Sequence, residues 1–207
     1  MSALPASMLN LSIAEFLERA GAREPVPGGG SVAALVGALA AAMGQMTARY
    51  TVGNARYAEH EPAVRAWLDE LARTREAFCR LLAEDVAAYG RYSAAARNKG
   101  DDEQAVVERS RALATATAVP MEIVAVAAVA AERMDAMKAC CNRHLLSDLV
   151  VGAVLCDAAA HAAAANARIN LAAFDDAAEA ERLASDLRGM LQRVRAHRDS
   201  VEAFVVG

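Results

Sequence analysis

The densest run of residues able to hold a ligand is Pro27-Gly28-Gly29-Gly30-Ser31, just ahead of a long apolar stretch. Glycines let a backbone approach a ligand closely and adopt positive φ. Unpaired N–H groups at the start of the following helix would then hold a carboxylate or another acceptor. The same five residues read equally well as a flexible turn closed by a serine cap. Their spacing fits neither a Walker loop nor a dinucleotide fingerprint, and no strand precedes them.

A second candidate is Asp85. Leu81 and Leu82 lie four and three residues before it, and Tyr89 lies four after. Helical spacing puts all three on its face, which turns the carboxylate inward. A partly desolvated carboxylate there suits proton transfer near neutrality. Glu84 is expected to be its solvated neighbour. The competing reading is an ordinary surface acidic pair, since Asp and Glu are usually exposed.

A third group is polar residues in otherwise apolar stretches: Asn142, Ser147, Asp148, Asn166 and Asn170. Asn166 and Asn170 are four apart and share a helix face. Amides both donate and accept hydrogen bonds, which suits a heterocyclic ligand. They serve equally well to cap or bridge helices. His60, His144, His161 and His197 fit no metal-ligand spacing, and no Glu-x-x-His pair occurs, which argues against a di-iron bundle. No nucleophile-elbow motif supports a serine triad.

The elements that must position these residues are helical. Alanine supplies 53 of the 207 residues, while Phe, Trp and Tyr together supply nine. Alanine is the strongest helix former, and sheets favour branched and aromatic side chains. The composition predicts an all-α, single-domain bundle over residues 1–207 with an alanine-rich core and closely approaching axes. Ser12 and Glu15 form a capping box for a first helix ending at Gly21. Ser31 is expected to cap a second helix running to about Tyr50. Thr51-Val52-Gly53-Asn54 is a break, and Pro62 opens a helix over about 61–96. Further helices follow near 103–118, 120–137, 145–171 and 175–204, with Pro120 expected to break or kink the chain. The count is about seven.

Composition also excludes functions. A net charge of −4 without a basic block argues against nucleic acid and polybasic membrane binding. Residues 25–48 carry no charge, but five glycines and two prolines make them weakly apolar for a membrane span. The N-terminus lacks the cationic and apolar regions of a signal peptide. Cys79, Cys140, Cys141 and Cys156 form no C-x-x-C pattern and read as small buried thiols of a cytoplasmic protein.

Taken in order, several segments resemble the formiminotransferase-cyclodeaminase C-terminal family, which includes stand-alone methenyltetrahydrofolate cyclohydrolases. They are 27–35, 85–92, Ala118-Val119-Pro120, Cys141-Asn142, 147–153 and 166–171, spread over about 13–204. The resemblance implies an all-α homodimer that binds a tetrahydrofolate derivative as substrate and needs no separate cofactor. It implies Asp85 as general acid/base. It places Pro27, Gly28, Gly29, Gly30, Ser31, Arg56, Asn142, Ser147, Asp148, Asn166 and Asn170 around the substrate. Members commonly carry two or three basic residues after the glycine of the 53–57 segment; Gly53-Asn54-Ala55-Arg56-Tyr57 keeps Arg56 alone.

Two reactions follow from that resemblance, both at the N5–C–N10 bridge: cyclodeamination of formiminotetrahydrofolate and hydrolysis of the methenyl form. The absence of an attached transferase segment tilts the expectation toward cyclohydrolase. The rival from another class is a non-catalytic folate-binding or scaffold dimer.

Overall fold

The computed structural model describes residues 8–100 and 102–206. Six α-helices carry them: α1 (Ile13–Gly21), α2 (Gly29–Arg49), α3 (Glu61–Arg97), α4 (Glu103–Met137), α5 (Leu146–Leu171) and α6 (Ala177–Val206). Short 3₁₀ turns occupy Met8–Asn10, Ala55–His60 and Arg143–Leu145. The described residues contain no strand.

Local chemistry fixes most ends. Ser12 and Glu15 close the capping box on α1, with Glu15 Oε2 accepting from the Ser12 amide at 2.8 Å. Asp102 caps α4 by accepting from the Ala105 amide at 3.0 Å. Pro62 sits in the first turn of α3, where its missing N–H costs nothing. Gly53 has φ of 78° and turns the chain after α2.

Two boundaries differ from the sequence reading. Gly28, not Ser31, is the N-cap of α2, so Ser31 lies inside the first turn with its hydroxyl free for another partner. Pro120 does not end a helix; α4 runs through it, which gives six helices where about seven were expected. Proline removes the N–H that would bond to the carbonyl four residues earlier. Here that carbonyl belongs to Ala116, and the Asn170 amide of α5 donates to it at 2.8 Å. A side chain from a neighbouring helix thus replaces the lost backbone donor.

Helices α2 to α5 form the central bundle, and α6 packs on α4 and α5. α2 runs antiparallel to α3, with Gly30 opposite Asp85 and Gly37 against Phe78. It is also antiparallel to α5, with Gly29 opposite Asn166 and the Ala40 carbonyl opposite Gly152. A Cβ at Gly152 would sit 2.9 Å from Met134 Sδ and 3.2 Å from the Ala40 oxygen, so three helices meet there only because the side chain is absent. The walls are alanine: Ala33, Ala40, Ala130, Ala153, Ala160 and Ala164 are all fully buried. Larger side chains fill the α3 side, where Leu71, Phe78 and Leu81 are fully buried. Each contributes about 1.5–3 kcal/mol of burial free energy.

Not every apolar side chain is covered. Val32, Val36, Leu39, Met43, Met46 and Tyr50 recur along α2 at alternating spacings of four and three. This stripe is exposed or half-exposed throughout, with Leu39 at 52%. On neighbouring α5, Val151, Val154 and Ile169 are exposed in the same way. α2, α4 and α5 are long and apolar enough to cross a membrane by length and composition.

Candidate functional site

The start of α2 lies between α3 and α5. By helix geometry the first N–H groups of α2 have no intrahelical acceptor. No side chain caps them, since the N-cap is a glycine. Asp85 comes from α3 and is half-buried between Leu81 and Leu82, both in the core, and the open end of the bundle. Its Oδ2 accepts from Ser31 Oγ at 2.6 Å. Ser31 is fully buried, so this short bond fixes the carboxylate against the first turn of α2. A Cβ on Gly30 would fall 2.0 Å from Asp85 Oδ1. Gly30 is therefore required for contact, and the conformational freedom expected of the glycines is not used: none of Gly28, Gly29 and Gly30 has positive φ. Pro27 is buried behind them and follows a cis peptide bond.

Asn166 of α5 completes this end. Its amide lies beside Gly29, 3.3 Å from where a Cβ would be, and Nδ2 donates to the Ala162 carbonyl at 3.2 Å. Asn170 lies one turn further on, with one amide hydrogen committed to Ala116. Tyr89 does not turn inward as its spacing suggested; it is 45% exposed. Glu84 is the solvated neighbour and accepts from Arg80 at 2.9 Å. Pro27 to Ser31, Asp85, Asn166 and Asn170 thus gather at one end of α2.

Arg56, Asn142, Ser147 and Asp148 lie at the other end. The 21 residues of α2 separate the two groups by about 30 Å. Asn142 is used locally: its amide N–H donates to Thr51 Oγ1 at 2.9 Å, Nδ2 donates to the Tyr50 carbonyl at 3.3 Å, and Oδ1 accepts from the His144 amide. These bonds tie the end of α2 to the start of α5. Ser147 is exposed and Asp148 half-buried in the first turn of α5.

A cleft of about 240 Å³ opens at this second end, lined by Arg56, Tyr57, His60, Lys138, Arg143 and Phe204 among others. Sequence reading singled out Arg56 alone. Lys138, Arg143 and His60 sit on separate segments, and only the adjacency of Arg143 to Asn142 could have signalled it. Cys141 also lines the cleft, but burial pushes its thiol up to about 11. Burial likewise raises Cys156 to about 12. Neither thiol is a nucleophile at neutral pH.

Fold and site together define an all-α protein with a serine-held carboxylate where a glycine-opened helix begins in an alanine-walled bundle. The sequence pattern described as Formiminotransferase-cyclodeaminase matches residues 12–189. The chain belongs to that family. It is 30% identical to the methenyltetrahydrofolate cyclohydrolase of Methylorubrum extorquens, over 90% of this chain and 92% of that one. It is 26% identical to the formimidoyltransferase-cyclodeaminase of Rattus norvegicus, spanning 91% of this chain and 36% of that larger protein. The fold matches the crystal structure of formiminotetrahydrofolate cyclodeaminase from Thermotoga maritima with a TM-score of 0.89 at 26% identity, covering 96% of this chain and 98% of that one.

Proposed function

We propose that this protein is a folate one-carbon enzyme that hydrolyses the methenyl bridge of 5,10-methenyltetrahydrofolate, with Asp85 moving the proton. The observation that carries the reading is the Ser31–Asp85 bond at 2.6 Å beside Gly30. It fixes the carboxylate at the first turn of α2, with Oδ2 on Ser31 and Oδ1 against Gly30. Water adds to the bridging carbon and gives a proton to Asp85. That proton passes to N5 as the C–N5 bond breaks, and the hydroxyl proton of the tetrahedral carbon leaves to solvent. The product is 10-formyltetrahydrofolate. In this reading Asn166 and the unpaired amides of α2 hold the pterin by hydrogen bonds. The similarity to the Methylorubrum extorquens cyclohydrolase over nearly the full length of both chains supports this substrate.

Cyclodeamination is the second reading, favoured by the Thermotoga maritima fold match. It passes through the same kind of tetrahedral carbon, with ammonia leaving. Spectrophotometric assays with methenyltetrahydrofolate and with formiminotetrahydrofolate separate the two. Asp85→Asn should lower kcat by about 100-fold or more while folate binding persists. Near-normal turnover in that variant removes Asp85 from the mechanism. Folate binding without turnover of either substrate favours a non-catalytic binding protein.

The uncovered stripe on α2 supports a homodimer. A 3.5-residue repeat of apolar side chains is the pattern of one helix packing along another. Two copies meeting about a two-fold axis, with their α2 helices antiparallel, would cover it. That arrangement sets the Arg56–Asn142 end of one protomer beside the Gly30–Asp85 end of its partner. Substrate-facing residues 30 Å apart in one chain (about the length of α2) would then surround one ligand.

A further inference from the structure

Outward from the Ser31–Asp85 bond, a separate cleft of about 320 Å³ opens between the ends of α3 and α5 and the start of α4. Tyr92 lines it and lies seven residues after Asp85, two turns along the same face of α3. Leu113 and Ala173 also line it, each three residues from a member of the Ala116–Asn170 hydrogen bond. The cleft therefore continues the site at the open end of the bundle. Its charged groups come from different segments. Arg109 of α4 is half-buried and held, because Nη1 donates to the carbonyls of Asn98 at 2.9 Å and Gly100 at 2.7 Å. Those bonds use one of its three nitrogens. Asp175 lies on the opposite rim, beside the start of α6. Its neighbour Asp176 is the residue that caps α6, accepting from the Ala178 and Glu179 amides at 2.9 and 3.1 Å. Among the described residues neither Arg109 nor Asp175 forms an ion pair.

A guanidinium only donates hydrogen bonds and a carboxylate only accepts them. With the half-buried Tyr92 ring as one wall, the two groups form a slot for a flat heterocycle. Its matching edge carries donors toward Asp175 and an acceptor toward Arg109. We propose that this cleft reads the 2-amino-4-oxopyrimidine edge of a reduced folate. Asp175 accepts from the 2-amino group and N3–H, and Arg109 donates to the 4-oxo oxygen. The proposal rests on the folate reading above. Seven residues of α3 span about 10 Å, the reach of a fused two-ring system with a hydrogen bond at either end. The bridging carbon then falls at Asp85 while the far edge of the ring lies in the cleft. Asn166 and the start of α2 meet the ring between them. Asp175 and Arg109 stand away from the bond that breaks, so they set affinity and selectivity and leave the chemical step to Asp85.

The test is calorimetry on the full-length protein with 5-formyltetrahydrofolate and with its 2-desamino-2-methyl analogue, which lacks the amino donor. The parent protein should bind the analogue about tenfold more weakly. Asp175→Asn, which leaves the Asp176 cap in place, should weaken binding of 5-formyltetrahydrofolate about tenfold. It should also distinguish the two ligands by less than about threefold, closing a cycle between ligand and side chain. In turnover of methenyltetrahydrofolate the same variant should raise KM, with kcat changed by less than about threefold. Equal affinity of the parent protein for both ligands would overturn the proposal, as would undiminished discrimination in Asp175→Asn. A parent protein that binds neither ligand overturns the folate reading and the cleft with it. Discrimination that vanishes in the variant, in a protein that turns over neither folate substrate, upholds the cleft and defeats the enzyme reading alone.

Discussion

Asn170 donates a hydrogen bond to the carbonyl that Pro120 deprives of its partner. The acceptor is Ala116, four residues before the proline, at 2.8 Å. Proline inside a helix is ordinarily costly because it strands this carbonyl. The bond lets α4 continue through Pro120 and pins α5 to it.

Asn170→Ala should destabilise the protein by about 1–2 kcal/mol, the cost of an unsatisfied, partly buried carbonyl. Pro120→Ala in the same chain restores an N–H for Ala116, so the double variant should recover most of the loss. Urea denaturation of the two single variants and the double variant completes the cycle. Additive losses would show that the two residues do not act through one carbonyl.

Gly30→Ala separates site from scaffold. Its Cβ would overlap Asp85 Oδ1, so the carboxylate must swing away and release Ser31. Alanine is the better helix former by about 1 kcal/mol. The expected outcome is a large loss of turnover, about 100-fold, with the fold retained and stability lowered by no more than about 1–2 kcal/mol, since the released Ser31 bond outweighs part of the alanine gain. Full activity in a soluble Gly30→Ala protein would separate the reaction from this carboxylate position.

Leu39 lies midway along the exposed stripe of α2. A charge there would be buried unpaired on dimerisation, which costs several kcal/mol. Leu39→Glu should convert a dimer to a monomer in analytical ultracentrifugation and lose activity with it. A monomer in the unaltered protein would remove the dimer from the functional reading.

Stability should depend on pH through Asp135, which joins α4 to α6. Burial pushes its carboxyl up, but hydrogen bonds from Lys138, His197 and Ser200 outweigh this and hold it below its ordinary value of 3.8. A folded-state value below the unfolded one contributes stability above the unfolded value. That stability fades as pH falls through the folded one. Melting temperatures from pH 6 down to about 2 should therefore drop more steeply for the parent protein than for Asp135→Asn. Parallel curves would exclude Asp135 as a contributor.

Much of this was legible in the chain. Ser12 with Glu15, Pro62 and the break at Gly53 are local devices, and local chemistry decides them. Asp85 was readable because Leu81 and Leu82 recur on its face. Pro120 was misread because the residue that repairs its effect lies 50 positions away in sequence. Ser31 was misread for a related reason. A serine before an apolar run looks like a cap until a carboxylate from another helix claims the hydroxyl. The cationic cleft was largely invisible, since positions 56–60, 138–143 and 204 meet only through the packing of four helices. Each of its basic residues alone looks like ordinary solvated surface.

The alanine walls carry a consequence for how sequence variation is tolerated. A core of leucines fails when side chains shrink and leave voids, but most positions between α2 and α5 have almost nothing to lose. Ala160→Gly removes a single methyl, whereas Ala160→Val adds two carbons to a side chain that is already fully buried. Overpacking of that kind costs about 1–3 kcal/mol. Damaging changes in this interface will be those that enlarge a residue, and the helix spacing that positions Asp85 against Gly30 will be protected chiefly against growth.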